Sequence, residues 1–411
     1  MRPLRRAAAL TLALLVLASL AGEAVADHGG RPIGSFSRCN RPVTPPRCTS
    51  VGDDLAHHVY FDATLTEGLA SSLRDTMAED YGPTKLSMIV DREVTDATDV
   101  IVFSEDFGEN GAAGWVACPL DAPQGTNAAG HRWCRGQELF LNLNPRYSVF
   151  FADDASRDHV TCHELGHTLG LRHWGNPPQS SGPAAATCMN ANTPNGPTGL
   201  HQVDIDHINA YRYTTVPTPQ MKRWWYSLVV ADAGRRATLS ALSAGSLVEA
   251  TEIEPTGSLG ELTESADAVV RARIISVEPG RIFGGRTGHP LHYASATLAV
   301  DEVLAGALPP PDVERLTLEI PLFAGPEAID VLRADGFDAV FFLRNKGESA
   351  RAAGLSARDQ AIEAAFYRLV NFGAVVASES GAAVTTEGPT AIQALAGLPF
   401  GEVLDRVRDA R

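Results

Sequence analysis

An α+β chain of two folded units is what this sequence predicts: a twisted mixed sheet with helices, then a mostly β unit of barrel or sandwich type. Three observations predict it. Between residues 55 and 215, short apolar runs alternate with stretches of helical periodicity. In the same region His163, His167 and His173 stand at offsets that a helix followed by a turn brings together. From about residue 259, long apolar-polar runs separated by Gly and Pro clusters replace the helical pattern.

The elements follow in order. His58 to Phe61 reads as a strand, and Leu65 to Tyr81 as an amphipathic helix with Leu65, Leu69, Leu73, Met77 and Tyr81 on one stripe. Leu86 to Val90, Asp99 to Phe103, Gly111 to Pro119 and Glu138 to Leu143 read as further strands. A helix starts near Asp154 to Ser156 and carries the histidines. Residues 216–258 read as a linker, with Val216-Pro217-Thr218-Pro219 ending the preceding helix and Trp224-Trp225-Tyr226 as a docking patch. Beyond it, Ala268 to Val277, Ala294 to Val300, Leu316 to Ile320 and Ala339 to Leu343 are strands. Pro279-Gly280 and Gly284-Gly285 are turn clusters between them, and Phe400 to Arg411 is a closing helix.

The chemistry lies in His163-Glu164-Leu165-Gly166-His167-Thr168-Leu169-Gly170-Leu171-Arg172-His173, which reads H-E-x-x-H-x-x-G-x-x-H. In a helix His163 and His167 project from one face. Gly170 can adopt a left-handed conformation that ends the helix, so the chain turns back and presents His173 as a third ligand. Three histidines leave one position of a tetrahedral zinc for water, and Glu164 stands within reach of that water as general base. At this composition a random match to the long pattern has a probability of roughly one in ten thousand. No other chemistry competes: His131, His201 and His207 lack a second ligand at metal spacing, and His289 and His292 have no acid or cysteine beside them. Asp153, Asp154 and Asp158 are candidate Ca2+ ligands, with capping of the helix N-terminus as the favoured reading.

Residues 1–26 have the form of a signal peptide: Arg2, Arg5 and Arg6, an apolar run from Ala7 to Ala21, and Ala24-Val25-Ala26 before Asp27. The expectation is a secreted, extracellular chain with no membrane insertion after signal removal. The net charge is −15, and loss of three leader arginines with one glutamate makes it more negative. That argues against nucleic acid or an anionic membrane as partner. Nothing in the pattern specifies an oligomeric state. Six cysteines, an even number in a secreted chain, lie between residues 39 and 188. Residues 27–53 read as an irregular, disulfide-looped segment, and pairing in sequence order joins Cys39 to Cys48, Cys118 to Cys134 and Cys162 to Cys188.

The histidine motif resembles that of the metzincin clan of zinc endopeptidases. Thr187-Cys188-Met189-Asn190 looks like the clan's turn that places a methionine under the metal, and Leu200 to Tyr211 is similar to the closing helix of the matrixin and snapalysin-like branches. The chain departs from snapalysins, which use Asp as third ligand where this chain has His173, and it lacks the cysteine pairs of archaemetzincins. The resemblance covers about residues 55–215. It implies a catalytic domain over 54–215, with the sheet above the metal and the helices below. It implies Met189 as the floor, one catalytic Zn2+, and protein or peptide substrates. It also implies an edge strand along the cleft that pairs with an extended substrate, for which Ala112, Ala113, Gly114, Trp115, Val116 and Ala117 are the candidates. If His163 and Met189 meet at the metal, their neighbours Cys162 and Cys188 are close enough to bridge.

The expected function is therefore zinc-dependent endopeptidase, with residues 259–411 as a mostly β domain of unassigned role that loosely resembles OB-like or netrin-type barrels. The rival is a secreted binding or adhesion protein whose zinc domain is only structural. The intact Glu164 speaks against it, since a structural site usually closes its fourth position and has no use for that carboxylate.

Overall fold

The computed structural model describes residues 52–118, 122, 124–126, 132–171, 173, 186–190, 196–210, 248–252, 258–285, 290–309, 312–322, 326, 329, 332, 338–371, 373–385 and 390–410. The first unit runs β1 (Ala56–Phe61), α1 (Glu67–Glu79), β2 (Ser87–Asp91), β3 (Val100–Glu105), β4 (Ala112–Ala117), β5 (Gln124–Thr126), β6 (Arg132–Cys134) and β7 (Gln137–Asn142). A 3-10 turn over Pro145–Phe151, α2 (Asp154–Thr168) and α3 (Gln202–Ala210) follow. β8 (Val248–Glu252) then returns to the same sheet, whose order is β2-β1-β3-β7-β4-β8. The first four strands are parallel, and β4 and β8 are antiparallel to their neighbours.

Alternation along these strands sorts the sheet into two apolar faces. Val100 and Val102 of β3, Val116 of β4, and Leu139 and Leu141 of β7 join the cluster that also holds Leu69, Leu73 and Met77 of α1 and Val160 and Leu165 of α2. Of the expected stripe, Leu69, Leu73, Met77 and Tyr81 are buried while Leu65 is half-buried; Leu65 and Tyr81 flank the helix, which Thr66 caps by accepting from Leu69 N. The opposite face carries Phe103, Trp115 and Phe140, with Phe107 from the loop after β3. Trp115 stacks on Phe140 at 4.9 Å, and Phe107 meets Trp115 edge-on at 5.3 Å.

That aromatic face is covered by the second unit. α4 (Leu259–Ser265) leads into β9 (Ala268–Phe283), β10 (Leu291–Gly306), β11 (Arg315–Pro321) and β12 (Asp338–Asn345). Then come α5 (Lys346–Ala352), α6 (Ala357–Glu363), β13 (Phe366–Leu369), β14 (Val375–Glu379), β15 (Ala382–Thr385), α7 (Thr390–Gln393) and α8 (Phe400–Asp409). The sheet order is β13-β11-β10-β9-β12-β14-β15, and β13 pairs both with β11, in parallel, and with β12, antiparallel. In β12, Ala339, Phe341 and Leu343 enter one core while Val340 and Phe342 enter another with Leu262, Val403 and Val407. Burial on both faces is why this strand reads as a continuous apolar run.

Two expectations need correction. The residues read as a linker supply β8, because backbone pairing with β4 needs no side-chain pattern. Pro279-Gly280 does not end a strand: it lies inside β9, where the register against β10 shifts between His292 and Ala294, and the turn comes at Gly284-Gly285. A Cβ at Gly280 would lie 2.9 Å from Ser295 Oγ, so the glycine serves close approach at this irregularity. Among the described residues no helix is long and apolar enough to cross a membrane.

The units are joined by more than apolar contact. Leu291, Tyr293 and Phe283 complete the aromatic cluster, and Tyr293 OH donates to Phe107 O at 2.9 Å. Arg368 of β13 donates from Nε to Glu109 Oε1 at 2.9 Å, with side chains only 2% and 6% exposed. Arg368 also donates to the carbonyls of Leu369 and Val370. Removing one member of so buried a pair strands the other charge. Arg368→Ala is expected to lower unfolding stability by about 3–5 kcal/mol in urea titrations. Adding Glu109→Gln should recover part of that loss.

Candidate metal centre

α2 begins where Asp153 accepts from Ser156 N, so this carboxylate is a cap. Asp154 pairs with Arg157, and Asp158 accepts from Ser72 Oγ. The three acids are thus engaged within the fold, and nothing in the structure supports calcium there. Four turns on, the helix ends with two hydrogen bonds, Gly170 N to His167 O at 3.0 Å and Leu171 N to Gly166 O at 2.9 Å. These form a Schellman motif around Gly170, whose φ of 87° suits glycine. The reversal carries the chain back so that His173 meets the two helix histidines.

The three Nε2 atoms converge. His163 and His173 are 2.9 Å apart, His163 and His167 3.0 Å, and His167 and His173 3.1 Å. Nitrogens around a tetrahedral zinc at its usual bond length are about 3.3 Å apart, so the cluster is close to ligand spacing. The other ring nitrogens decide the tautomers. His163 Nδ1 lies 2.7 Å from Cys188 O, and His167 Nδ1 lies 2.8 Å from Leu171 O. A carbonyl only accepts, so each Nδ1 carries the proton and each Nε2 presents a lone pair to its neighbours. Burial, then the neighbouring His167, His173 and His159, hold the His163 pKa well below the ordinary value, which keeps its imidazole neutral. Among the described residues this is the one group of three side chains placed to hold a metal ion, and converging imidazole nitrogens are a donor set zinc takes.

The floor and walls follow from packing. Met189 is fully buried under α2, and a Cβ at Gly166 would lie 2.3 Å from its Sδ. Any larger residue at Gly166 would displace the methionine. Thr187 donates to Asp204 Oδ2 at 2.6 Å, and Met189 N donates to Thr187 Oγ1 at 3.2 Å, which fixes the turn. Cys162 and Cys188 form a disulfide, joining the residue before His163 to the residue before Met189, and Cys118 pairs with Cys134. Cys39 and Cys48 lie outside the described residues, as do the leader, Trp224 to Tyr226 and His131. His201 Nδ1 accepts from Val203 N at the start of α3, a local structural role.

Glu164 is fully buried, and its carboxylate lies against β4: a Cβ at Gly114 would meet Glu164 Oε1 at 2.6 Å. The strand expected along the cleft is thus beside the carboxylate. It is not an edge strand, because β8 pairs along its outer side. Trp115 faces the second unit rather than the helix. The roles of Gly114 and Gly166 escaped the sequence reading. Glycine inside a helix costs about 1 kcal/mol against alanine, and that penalty at Gly166 was the available sign of close approach.

A buried polar group anchors the far end of α2, also unread in the sequence. His57 Nε2 lies 3.0 Å from Thr168 Oγ1, Gln137 Nε2 donates to Thr168 O at 2.8 Å, and Asp99 Oδ2 accepts from His58 N at 2.7 Å. Arg135 pairs with Asp53. Burial, reinforced by the hydrogen bond to Asp53, holds the Asp99 carboxyl well above the carboxylate range. Burial pushes His57 down to about 4.

No protein-family model matches the chain, and no curated protein matches it. Among solved structures it is similar to high choriolytic enzyme 1, a hatching enzyme zinc-protease from the medaka fish Oryzias latipes. The identity is 17%, over 29% of this chain and 46% of that one, with a TM-score of 0.19. The chain thus spans less than half the length of that protein, and so slight an overlap bears on neither fold nor activity.

Two outcomes follow from the centre. Zinc that binds the native site and not the unfolded chain should stabilise the protein by about 4 kcal/mol at a thousandfold excess over Kd. Thermal unfolding of metal-free protein titrated with zinc measures this, and His167→Ala should remove most of the gain. The second concerns acid. His57 binds its proton less readily folded than unfolded, so its contribution is complete above pH 6.5 and is lost as pH falls from 6.5 towards about 4. In metal-free protein the loss attributable to His57 should reach up to about 3 kcal/mol, read as the difference between wild type and His57→Gln in urea titrations across that range.

Proposed function

We propose that the chain is a secreted zinc-dependent endopeptidase. The observation that carries this reading is the junction of Glu164 with the triad. A buried carboxylate follows the first ligand on the same helix and packs on the backbone of β4, a strand that offers its outer side to a peptide only when β8 leaves it. Zinc, when bound by His163, His167 and His173, supplies Lewis acidity and makes water nucleophilic near neutral pH.

The residues of the chain do the rest. Glu164 orients the attacking water and takes its proton on a carboxylate oxygen. It then delivers that proton to the amide nitrogen as the peptide bond breaks, so the leaving group departs as a neutral amine. The carbonyl partners of His163 and His167 keep both rings as Nε2 ligands throughout. Met189 and the Cys162–Cys188 disulfide hold the floor of the site in place. Proteins or peptides in extended form are the proposed substrates, since strand pairing recognises backbone without regard to sequence.

Two further readings belong here. The disulfides support an oxidising, extracellular destination for the mature chain. The double pairing of β13 supports reading the second unit as a small barrel closed through β9, β10, β11, β13 and β12. Glu164→Gln should retain zinc and lose casein-cleaving activity by about 10²–10⁴-fold. Activity equal to wild type in a zinc-loaded variant would sink the proposal.

A further inference from the structure

β4 is the strand nearest the proposed general base, and its outer side is already taken. Trp115 pairs with Ala250, Val116 with Glu249 and Ala117 with Val248, then the register shifts and Ala112 pairs with Glu252. Two residues of β4, Ala113 and Gly114, thus stand opposite the single residue Thr251. The irregularity falls at the glycine that touches the Glu164 carboxylate. β8 also runs against α2, the helix that bears the triad.

A peptide to be cleaved must bring a carbonyl within about 3 Å of both the nucleophile and Glu164. A chain hydrogen-bonded along β4 lies about 4.8 Å from it, on the side where β8 now lies. We propose that β8 is an internal occupant of the substrate strand's place, so that the protein is latent while β8 remains paired. This rests on the endopeptidase reading above and adds its regulation. β8 comes from beyond the metal-binding unit, and the second unit that follows it docks on the other face of the same β4 through Trp115 and Tyr293. That tether holds β8 at an effective concentration in the millimolar range, enough to exclude a peptide of comparable intrinsic affinity. The register shift explains how a strand lying there escapes cleavage. Its regular ladder is broken beside Glu164, so the backbone at Thr251 is not held in the alignment a substrate would take.

The test uses full-length, zinc-loaded protein in a Glu164→Gln background, which removes turnover. The probe is a fluorescein-labelled peptide copying residues 246–254, read by anisotropy. Adjacent residues of a strand direct their N–H groups to opposite sides, so Glu249→Pro with Ala250→Pro removes at least one donor facing β4. The proline pair should bind the probe at least about tenfold more tightly than its parent. Equal affinity would show β8 to be a permanent sixth strand and overturns the proposal. A second variant guards against unfolding by proline: Ala112→Cys with Glu252→Cys, at paired positions, cross-links β8 in place. The oxidised pair should bind no probe, while Ala112→Ser with Glu252→Ser binds as the parent does. A cross-linked protein that binds like its serine counterpart likewise overturns the proposal. With Glu164 intact, the proline pair should cleave casein at least about tenfold faster than wild type. Tighter probe binding without any cleavage leaves β8 as the occupant and removes the endopeptidase reading instead.

Discussion

Three imidazole nitrogens held about 3 Å apart inside a protein are the constraint on which the rest of this structure depends. The three ring nitrogens converge, and burial disfavours protonation of the His163 imidazole among them. Such an arrangement persists only if the surrounding backbone dictates it. Two carbonyls do so directly, from Cys188 and Leu171, by accepting the far protons of His163 and His167. The Schellman turn at Gly170 places both Leu171 and His173, and the disulfide places Cys188. One local device therefore serves two of the three histidines at once.

Around that point, space is assigned by the absence of side chains. Gly166 makes room for Met189 below the helix, and Gly114 makes room for Glu164 beside the sheet. Both are places where a methyl group would have to displace an atom of Met189 or Glu164. The helix accepts the conformational cost of an internal glycine, and buried hydrogen bonds offset it: Tyr81 OH donates to Cys162 O at 2.8 Å, and His57 meets Thr168.

The second unit is structurally part of the first. Phe103, Phe107, Trp115 and Phe140 would form a large exposed apolar patch on the outer face of the first sheet if residues of β9 and β10 did not cover them. The Arg368–Glu109 pair, desolvated at the same seam, adds an orientation requirement that apolar contact lacks. The loop bearing Phe107 and Glu109 leads directly into β4, so the seam and the wall of the metal site are mechanically continuous. β8 belongs to the same arrangement, approaching β4 at its edge while the aromatic cluster approaches at its face.

What could be read from the chain alone was local. The offsets of His163, His167 and His173 are a property of one helix and one turn, and Asp153, Gly170 and the stripe of α1 speak through the same short-range periodicity. β7 was visible by its alternation and β3 by its short apolar run, and the sequence-order pairing of four cysteines was legible from their even number and order. The tertiary structure alone decided which strand lies beside β4, where the aromatic face is buried, and which glycines border Glu164 and Met189. The pairing of β4 with β8 joins residues more than 130 positions apart, as Trp115 and Ala250 are, and even Gly114 and Glu164 stand fifty positions apart. Such contacts are made by backbone hydrogen bonds and by missing side chains, and neither leaves a mark on hydrophobic pattern or spacing.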